Sequence, residues 1–273
     1  MEHPIRIGAV AYLNTKPLIH DFAKLAPQAE LILDLPSRLA DQLQAGTIDV
    51  GLIPVVEYFR GQDYQIIPNI SIACHGPVLS VSLFSRKPWQ EIQTLSLDEG
   101  SRTSAVLLQV LAKQKYGLNP KCSPLSMQTD AETVNTDAVL LIGDRAMRAD
   151  LPGFPYIYDL GQEWWEWTGL PFVFAVWAVR SGVDLGTTGR ALMEAKNRGL
   201  AQVASIAQQQ AQLLQLDPAY CRRYLSHIIR FDLGPRELEG LRYFQKLALA
   251  QGLITQAQSI RLYPLETQES LLV

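Results

Sequence analysis

The sequence is poor in the residues that carry the commonest metal and cofactor chemistry. Among 273 residues there are three cysteines, Cys74, Cys122 and Cys221, odd in number and without C-x-x-C spacing. That excludes a disulfide framework or a zinc ribbon and makes a reduced, cytoplasmic setting the expectation. The four histidines, His3, His20, His75 and His227, are scattered without metal-ligand spacing. No G-x-G-x-x-G, no G-x-x-x-x-G-K-S/T and no G-x-S-x-G occurs, so neither a nucleotide cofactor nor a hydrolase nucleophile elbow is supported. No apolar run approaches the roughly 20 residues of a membrane span; Phe172–Val179 is the longest obvious one. An excess of one charge is missing too: 24 basic against 27 acidic residues leave a net charge of −3, which offers no surface for nucleic acid or an anionic membrane. There is no Pro/Gly/Ser-rich linker, no repeat of fixed period and no disordered tract. The glutamine-rich Gln208–Gln215 continues an apolar pattern through Leu213, Leu214 and Leu216 and reads as an amphipathic helix. Arg6 interrupts the only early apolar run, so a signal peptide is not expected.

What is present is a chain able to bury a core, 48% hydrophobic and 19% charged. Apolar β-rich runs alternate with helical patterns, which predicts an α/β fold. Strands are expected at Ile5–Val10, Leu31–Leu35, Val50–Pro54, Val78–Phe84, Thr94–Leu97, Ala138–Ile142, Tyr156–Tyr158 and Phe172–Val179. Helices are expected at Lys16–Leu25, with Pro17 in its first turn, at Ser37–Ala45, with Ser37 as N-cap, and at Val55–Arg60, Arg102–Tyr116, Thr188–Gln209, Pro218–Ile229 and Pro235–Gln251. Strand signals fill residues 1–180 and the rest is almost wholly helical. With no tether, a two-lobed chain needs crossover strands. Val78–Ser85 and Phe172–Arg180 are the candidates, giving one lobe from 1–83 plus 178–273, a second from 84–177, and a ligand cleft between them.

Five segments could build a ligand site. Tyr12-Leu13-Asn14-Thr15 follows the first strand and precedes a helix, the place where open α/β sheets bind ligands. It is either an ordinary capped turn or a substrate turn in which Asn14 both donates and accepts. Ser101-Arg102-Thr103-Ser104 opens a helix. Three hydroxyls in four residues exceed what capping needs and suit a carboxylate or phosphate, while Arg102 either clamps that anion or faces solvent. Strand alternation places Ser80 and Ser82 on one face, lining the cleft or merely forming a polar strand face. Leu141-Ile142-Gly143-Asp144-Arg145 ends a buried strand in a polar group, with Asp144 a general base, an anchor or a helix cap. Trp164-Trp165-Glu166-Trp167 reads as packing between lobes or as a wall for a planar ligand.

In this order the segments AYLNTKPL, GTIDVGLIPVVEY, GPVLSV, SRTSAVLLQVL, LIGDRAM, YDLGQEWWEWTGLPFVFAVW and RGL resemble the chorismate dehydratase family of the futalosine route to menaquinone. The likeness runs over nearly the whole chain. It implies a type II periplasmic-binding-protein-like fold turned cytoplasmic enzyme, needing no metal or redox cofactor, with small-molecule chorismate as its partner. The implied reaction is loss of water to give 3-(1-carboxyvinyloxy)benzoate. It also implies substrate contacts at Asn14, Ser80, Thr103 and Ser104. A sister family, which cleaves futalosine derivatives, looks to carry a histidine where this chain has Gly143. With that histidine gone, the expected base is the substrate's own enolpyruvyl carboxylate, oriented by Asn14, with Asp144 as the competing base. The fold alone would equally suit a solute-binding module for an aromatic or dicarboxylate ligand.

Overall fold

The computed structural model describes residues 4–265, which leaves His3 outside the described part. The chain forms two twisted sheets. In chain order the first half holds β1 (Arg6–Val10), a 3₁₀ turn (Leu13–Ile19), α1 (Phe22–Leu25), β2 (Glu30–Asp34), α2 (Pro36–Gln44), β3 (Val50–Pro54), α3 (Val55–Arg60) and β4 (Gln65–Cys74). The middle holds β5 (Val81–Ser85), β6 (Thr94–Asp98), α4 (Arg102–Gln114), β7 (Lys121–Leu125), β8 (Ala138–Ile142), α5 (Gly143–Arg148), β9 (Tyr156–Asp159) and α6 (Leu160–Thr168). The remainder holds β10 (Phe172–Val179), α7 (Thr188–Ala201), α8 (Val203–Leu214), α9 (Pro218–Arg223), a π-helical turn (Tyr224–Ile228), β11 (Ile229–Arg230) and α10 (Pro235–Ala250).

Lobe I is the six-stranded sheet in the order β11-β4-β10-β3-β1-β2, and lobe II is the five-stranded sheet β7-β6-β8-β5-β9. β1 runs parallel to β2 and β3, and β6 runs parallel to β7 and β8. The carboxyl ends of β1, β3 and β8, at Val10, Pro54 and Ile142, therefore converge on the cleft. β10 is buried along its whole length between β3 and β4, antiparallel to both, which accounts for its unbroken apolar run.

The chain changes lobe between β4 and β5 and again between β9 and β10. Every residue of β5 thus lies in lobe II and every residue of β10 in lobe I. The expected boundaries at 83/84 and 177/178, which cut those strands, move to the segments 75–80 and 160–171. The physical reason is that a strand is hydrogen-bonded along its length to one sheet, so the passage falls to the loop or helix beside it.

Other local expectations are corrected. α2 begins at Pro36 with Leu35 at the cap, so Ser37 sits inside the first turn rather than capping it. The helix expected from Lys16 to Leu25 is divided by Asp21, whose φ of 56° stops it, and Pro17 lies within the 3₁₀ turn. The helix expected at Thr188–Gln209 divides at Gln202. Strand β4 is not among the strands expected from the sequence, and it contains Pro68, a residue that strand interiors rarely admit. Here Asn69, at φ 58°, accompanies the register shifts between β4 and β10, a bulge inside a continuous strand. Edge strand β7 contains Pro124, tolerated because an edge strand leaves one side unpaired. Among the described residues no helix is long and apolar enough to cross a membrane.

Candidate active site

The turn after β1 supplies the first wall. Val10, Tyr12 and Asn14 line a cavity between the lobes with an atom-free volume of about 530 Å³, its mouth included. The 3₁₀ turn that carries Asn14 is seated by α7. A side chain on Gly199 would put its Cβ 2.0 Å from the Pro17 carbonyl oxygen, so glycine there lets the two backbones meet. That gives the Arg198-Gly199-Leu200 segment of the sequence a physical role.

Lobe II supplies the facing wall through the start of α4. Ser101 caps the helix, its Oγ accepting from the Ser104 N–H at 3.2 Å. Ser101, Thr103 and Ser104 are all buried and all line the cavity. The N–H groups of the first turn have no intrahelical acceptor, and the helix dipole adds partial positive charge there. Pro36 at the start of α2, Pro54 before α3 and Gly143 at the start of α5 also line the cavity. Several helix N-termini therefore surround one space. The rest of the lining is apolar, with Ile72, Val78, Val81, Ile142, Phe174 and Ala175 among it. Among the described residues no charged side chain lines the cavity.

Ser80 completes the wall from the segment where the chain passes between lobes. Its backbone is set by Leu79, which holds a left-handed φ of 60°. Asp159 fixes that conformation: its half-buried carboxylate accepts from the Val78 N–H at 3.0 Å and from the Leu79 N–H at 2.7 Å while capping α6. Ser80 O in turn accepts from the Gly143 N–H at 2.7 Å. Ser80 precedes β5 rather than continuing it, so Ser80 and Ser82 do not share the cavity face. Ser82 lies within β5 opposite Leu141 and Asp159, and Val81 lines the cavity instead.

Two further expectations are redirected. Arg102 does not reach the cavity. Its guanidinium pairs with Asp41 at 2.8 and 2.9 Å and with Glu57 at 3.2 Å, joining α4 of lobe II to α2 and α3 of lobe I. Asp144 also joins the lobes: its Oδ1 accepts from the Leu13 N–H at 3.1 Å, and it is not among the cavity-lining residues. Burial pushes its carboxyl above the ordinary range although that N–H pulls the other way. Thr103 adds a third link, its Oγ1 accepting from the Val56 N–H of α3 at 3.3 Å. The lobes are thus closed on one another.

Gly143 and Tyr12 form a single contact. Gly143 has φ +59°, and a Cβ there would lie 2.9 Å from the Tyr12 ring. Burial holds the Tyr12 phenol well above its ordinary pKa, and among the described residues its hydroxyl has no hydrogen-bond partner. The tryptophan cluster is packing: Trp164 is fully buried against Phe172, Phe244 and Trp167. His75 is bonded to Glu237 and stacked on Trp165. Among the described residues no group of three or more His, Cys, Asp or Glu side chains is placed to hold a metal.

Sequence reasoning missed one residue. Tyr224, at the start of the π-helical turn, is 1% exposed, and its hydroxyl donates to Ser80 Oγ at 2.8 Å while accepting from Asn14 Nδ2 at 3.3 Å. A tyrosine in an amphipathic pattern reads as core, and only the fold brings it against residues more than 140 positions away.

A family model described as menaquinone biosynthesis matches residues 5–250. The chain is similar to the chorismate dehydratase of Thermus thermophilus, 31% identical over 260 residues, 88% of this chain and 94% of that protein. It is also similar to the chorismate dehydratase of Campylobacter jejuni, 26% identical over 254 residues, 90% of this chain and 98% of the relative. In fold it resembles an Archaeoglobus fulgidus protein solved by X-ray crystallography, with a TM-score of 0.71 at 15% identity, covering 93% of this chain and 99% of that one. It also resembles the alkanesulfonate-binding protein of Xanthomonas axonopodis, with a TM-score of 0.68 at 18% identity, covering 93% and 94%. The fold is therefore that of the periplasmic binding proteins.

Proposed function

This chain belongs to the chorismate dehydratase family of menaquinone biosynthesis, and from that premise we propose that it is itself a chorismate dehydratase, a carbon–oxygen hydro-lyase of the cytoplasm that converts chorismate to 3-(1-carboxyvinyloxy)benzoate and water. The observation that carries the reading is the cavity. It sets the Asn14 turn of lobe I opposite the α4 N-terminus of lobe II, with an apolar lining between them suited to a six-membered ring.

Chorismate carries two carboxylates and needs two receptors. The start of α4, with Ser101, Thr103 and Ser104, is one; the Asn14 turn with Ser80 is the other. The proton leaves C3 to the enolpyruvyl carboxylate of the same molecule, held by Asn14. The electron pair moves through the ring diene to the ring carboxylate, whose growing charge the hydroxyl and N–H donors stabilise as an oxyanion hole does. The pair then returns, the C4–oxygen bond breaks, the departing hydroxide takes up a proton as water, and the ring becomes aromatic. The step is redox-neutral within the substrate. Asp144, its Oδ1 engaged by Leu13, is an anchor in this account. Gly143, pressed by Tyr12, leaves no room for the histidine expected of the sister futalosine-cleaving activity.

The second reading, a solute-binding module, is favoured by the binding-protein fold alone. Purified protein mixed with chorismate separates the two: a rise in benzoate absorbance with a product lighter by one water is expected. Chorismate bound and recovered unchanged would sink the enzyme reading.

A further inference from the structure

We propose that Tyr224 is a positioning residue that turns the Ser80 hydroxyl into a directed hydrogen-bond donor to the anion in the cavity, by linking Asn14, Tyr224 and Ser80 in one chain. The inference rests on the dehydratase reading and adds a residue to it.

The geometry is that of a relay with one direction. Asn14 Nδ2 donates to Tyr224 Oη at 3.3 Å, and Tyr224 Oη donates to Ser80 Oγ at 2.8 Å. Tyr224 has a single proton, and the Ser80 bond uses it. Ser80 Oγ already accepts that proton, so its own must point elsewhere. Its protein acceptor is the Val78 carbonyl oxygen, 3.4 Å away and a long bond, while Ser80 lines the cavity. A carboxylate placed there accepts and cannot donate, so it selects the orientation in which all three donors point toward it. Successive bonds in such a chain polarise one another, which makes the terminal hydroxyl a better donor than an isolated serine.

The surroundings hold the relay still. Tyr224 is almost wholly buried, and burial keeps its phenol protonated well above neutral pH, hence a donor throughout the working range. It opens a π-helical turn, an insertion that shifts the register of one helical turn and recurs at functional sites. The Asp159 carboxylate fixes Leu79 in the left-handed region, and so fixes the Ser80 end. The relay thereby ties the C-terminal helical region to both the first turn and the segment that passes between lobes.

The test is Tyr224→Phe, which keeps the ring and removes the hydroxyl, compared with Ser80→Ala and the double variant. On the proposed mechanism Ser80 faces the enolpyruvyl carboxylate, so losing its positioning partner lets that carboxylate drift from the C3 proton; a misplacement of about 1 Å costs roughly 100-fold, and a fall in kcat of about 10- to 100-fold is expected. KM is expected to rise only about twofold to fivefold, with the thermal midpoint shifted by less than about 4 °C. The double variant is expected to be no slower than Ser80→Ala alone, because Tyr224 acts through Ser80. A Tyr224→Phe enzyme with wild-type kcat overturns the proposal, as does a double variant whose losses multiply. If the wild-type protein turns over no chorismate, it is the dehydratase reading that fails. Calorimetry with chorismate then decides on Tyr224: weaker binding to Tyr224→Phe supports the relay, and equal affinities overturn it.

Discussion

Replacing Gly143 by alanine tests how the site is shaped. The alanine would have to adopt φ +59°, and its Cβ would sit 2.9 Å from two carbons of the Tyr12 ring and 3.0 Å from a third. A left-handed L-residue costs about 1–2 kcal/mol. A contact that close to an aromatic ring forces the ring or the backbone aside, at roughly 1–3 kcal/mol. The sum, about 2–5 kcal/mol, predicts a thermal midpoint lower by roughly 4–9 °C in a chain of this size. Because the Tyr12 ring lines the cavity and the Gly143 N–H holds the Ser80 carbonyl, kcat/KM should fall with stability, by about tenfold or more. Differential scanning calorimetry and chorismate turnover measure the two effects. The double variant Tyr12→Ala/Gly143→Ala should recover the steric share, so that its losses are less than additive. A Gly143→Ala protein that melts within about 2 °C of wild type with unchanged kcat/KM would refute the reasoning.

Three further outcomes follow from other contacts. Arg102→Ala removes the Asp41 and Glu57 ion pairs that hold the lobes together, and since these are partly exposed it should cost about 1 kcal/mol or less in stability but raise KM severalfold, which steady-state kinetics will show. Asp144→Asn keeps an oxygen for the Leu13 N–H and should retain turnover within about fivefold; abolished turnover with intact binding would instead make Asp144 the base. At Asp137 burial pushes the carboxyl up, but bonds from Lys87 and from Gln93 and Thr94 outweigh it and bring the pKa from 3.8 to about 2. Its contribution, on the order of 1–2 kcal/mol, is therefore complete above pH about 4 and lost as pH falls through about 2, so the stability gap between wild type and Asp137→Asn should close over that window in acid denaturation.

Much of the fold is legible because its signals are local. β3 and β8 are buried apolar runs, α4 carries its own serine cap, and α10 opens on Pro235 with Glu237 bonding back to the Gly234 N–H. What was hidden depends on partners. Pro68-Asn69 carries turn chemistry that β10 overrides by pairing around it, and the boundaries between lobes depend on which sheet each strand joins. In the site, the Asn14 turn and the α4 N-terminus were visible as polar residues following strands. Arg102 was not assignable, since nothing in its neighbourhood announces Asp41 and Glu57, and Tyr224 looks like any buried aromatic until Ser80 and Asn14 are folded against it.

The uncharged lining of the cavity has a consequence for the proton transfer. An arginine or lysine against a carboxylate lowers its pKa and so weakens it as a proton acceptor. Hydroxyls, amides and helix ends hold an anion through partial charges and blunt its basicity less. On the mechanism proposed above, a cavity that seats the dianion with no cation among its described lining residues would leave the substrate's own carboxylate basic enough to serve as the reagent.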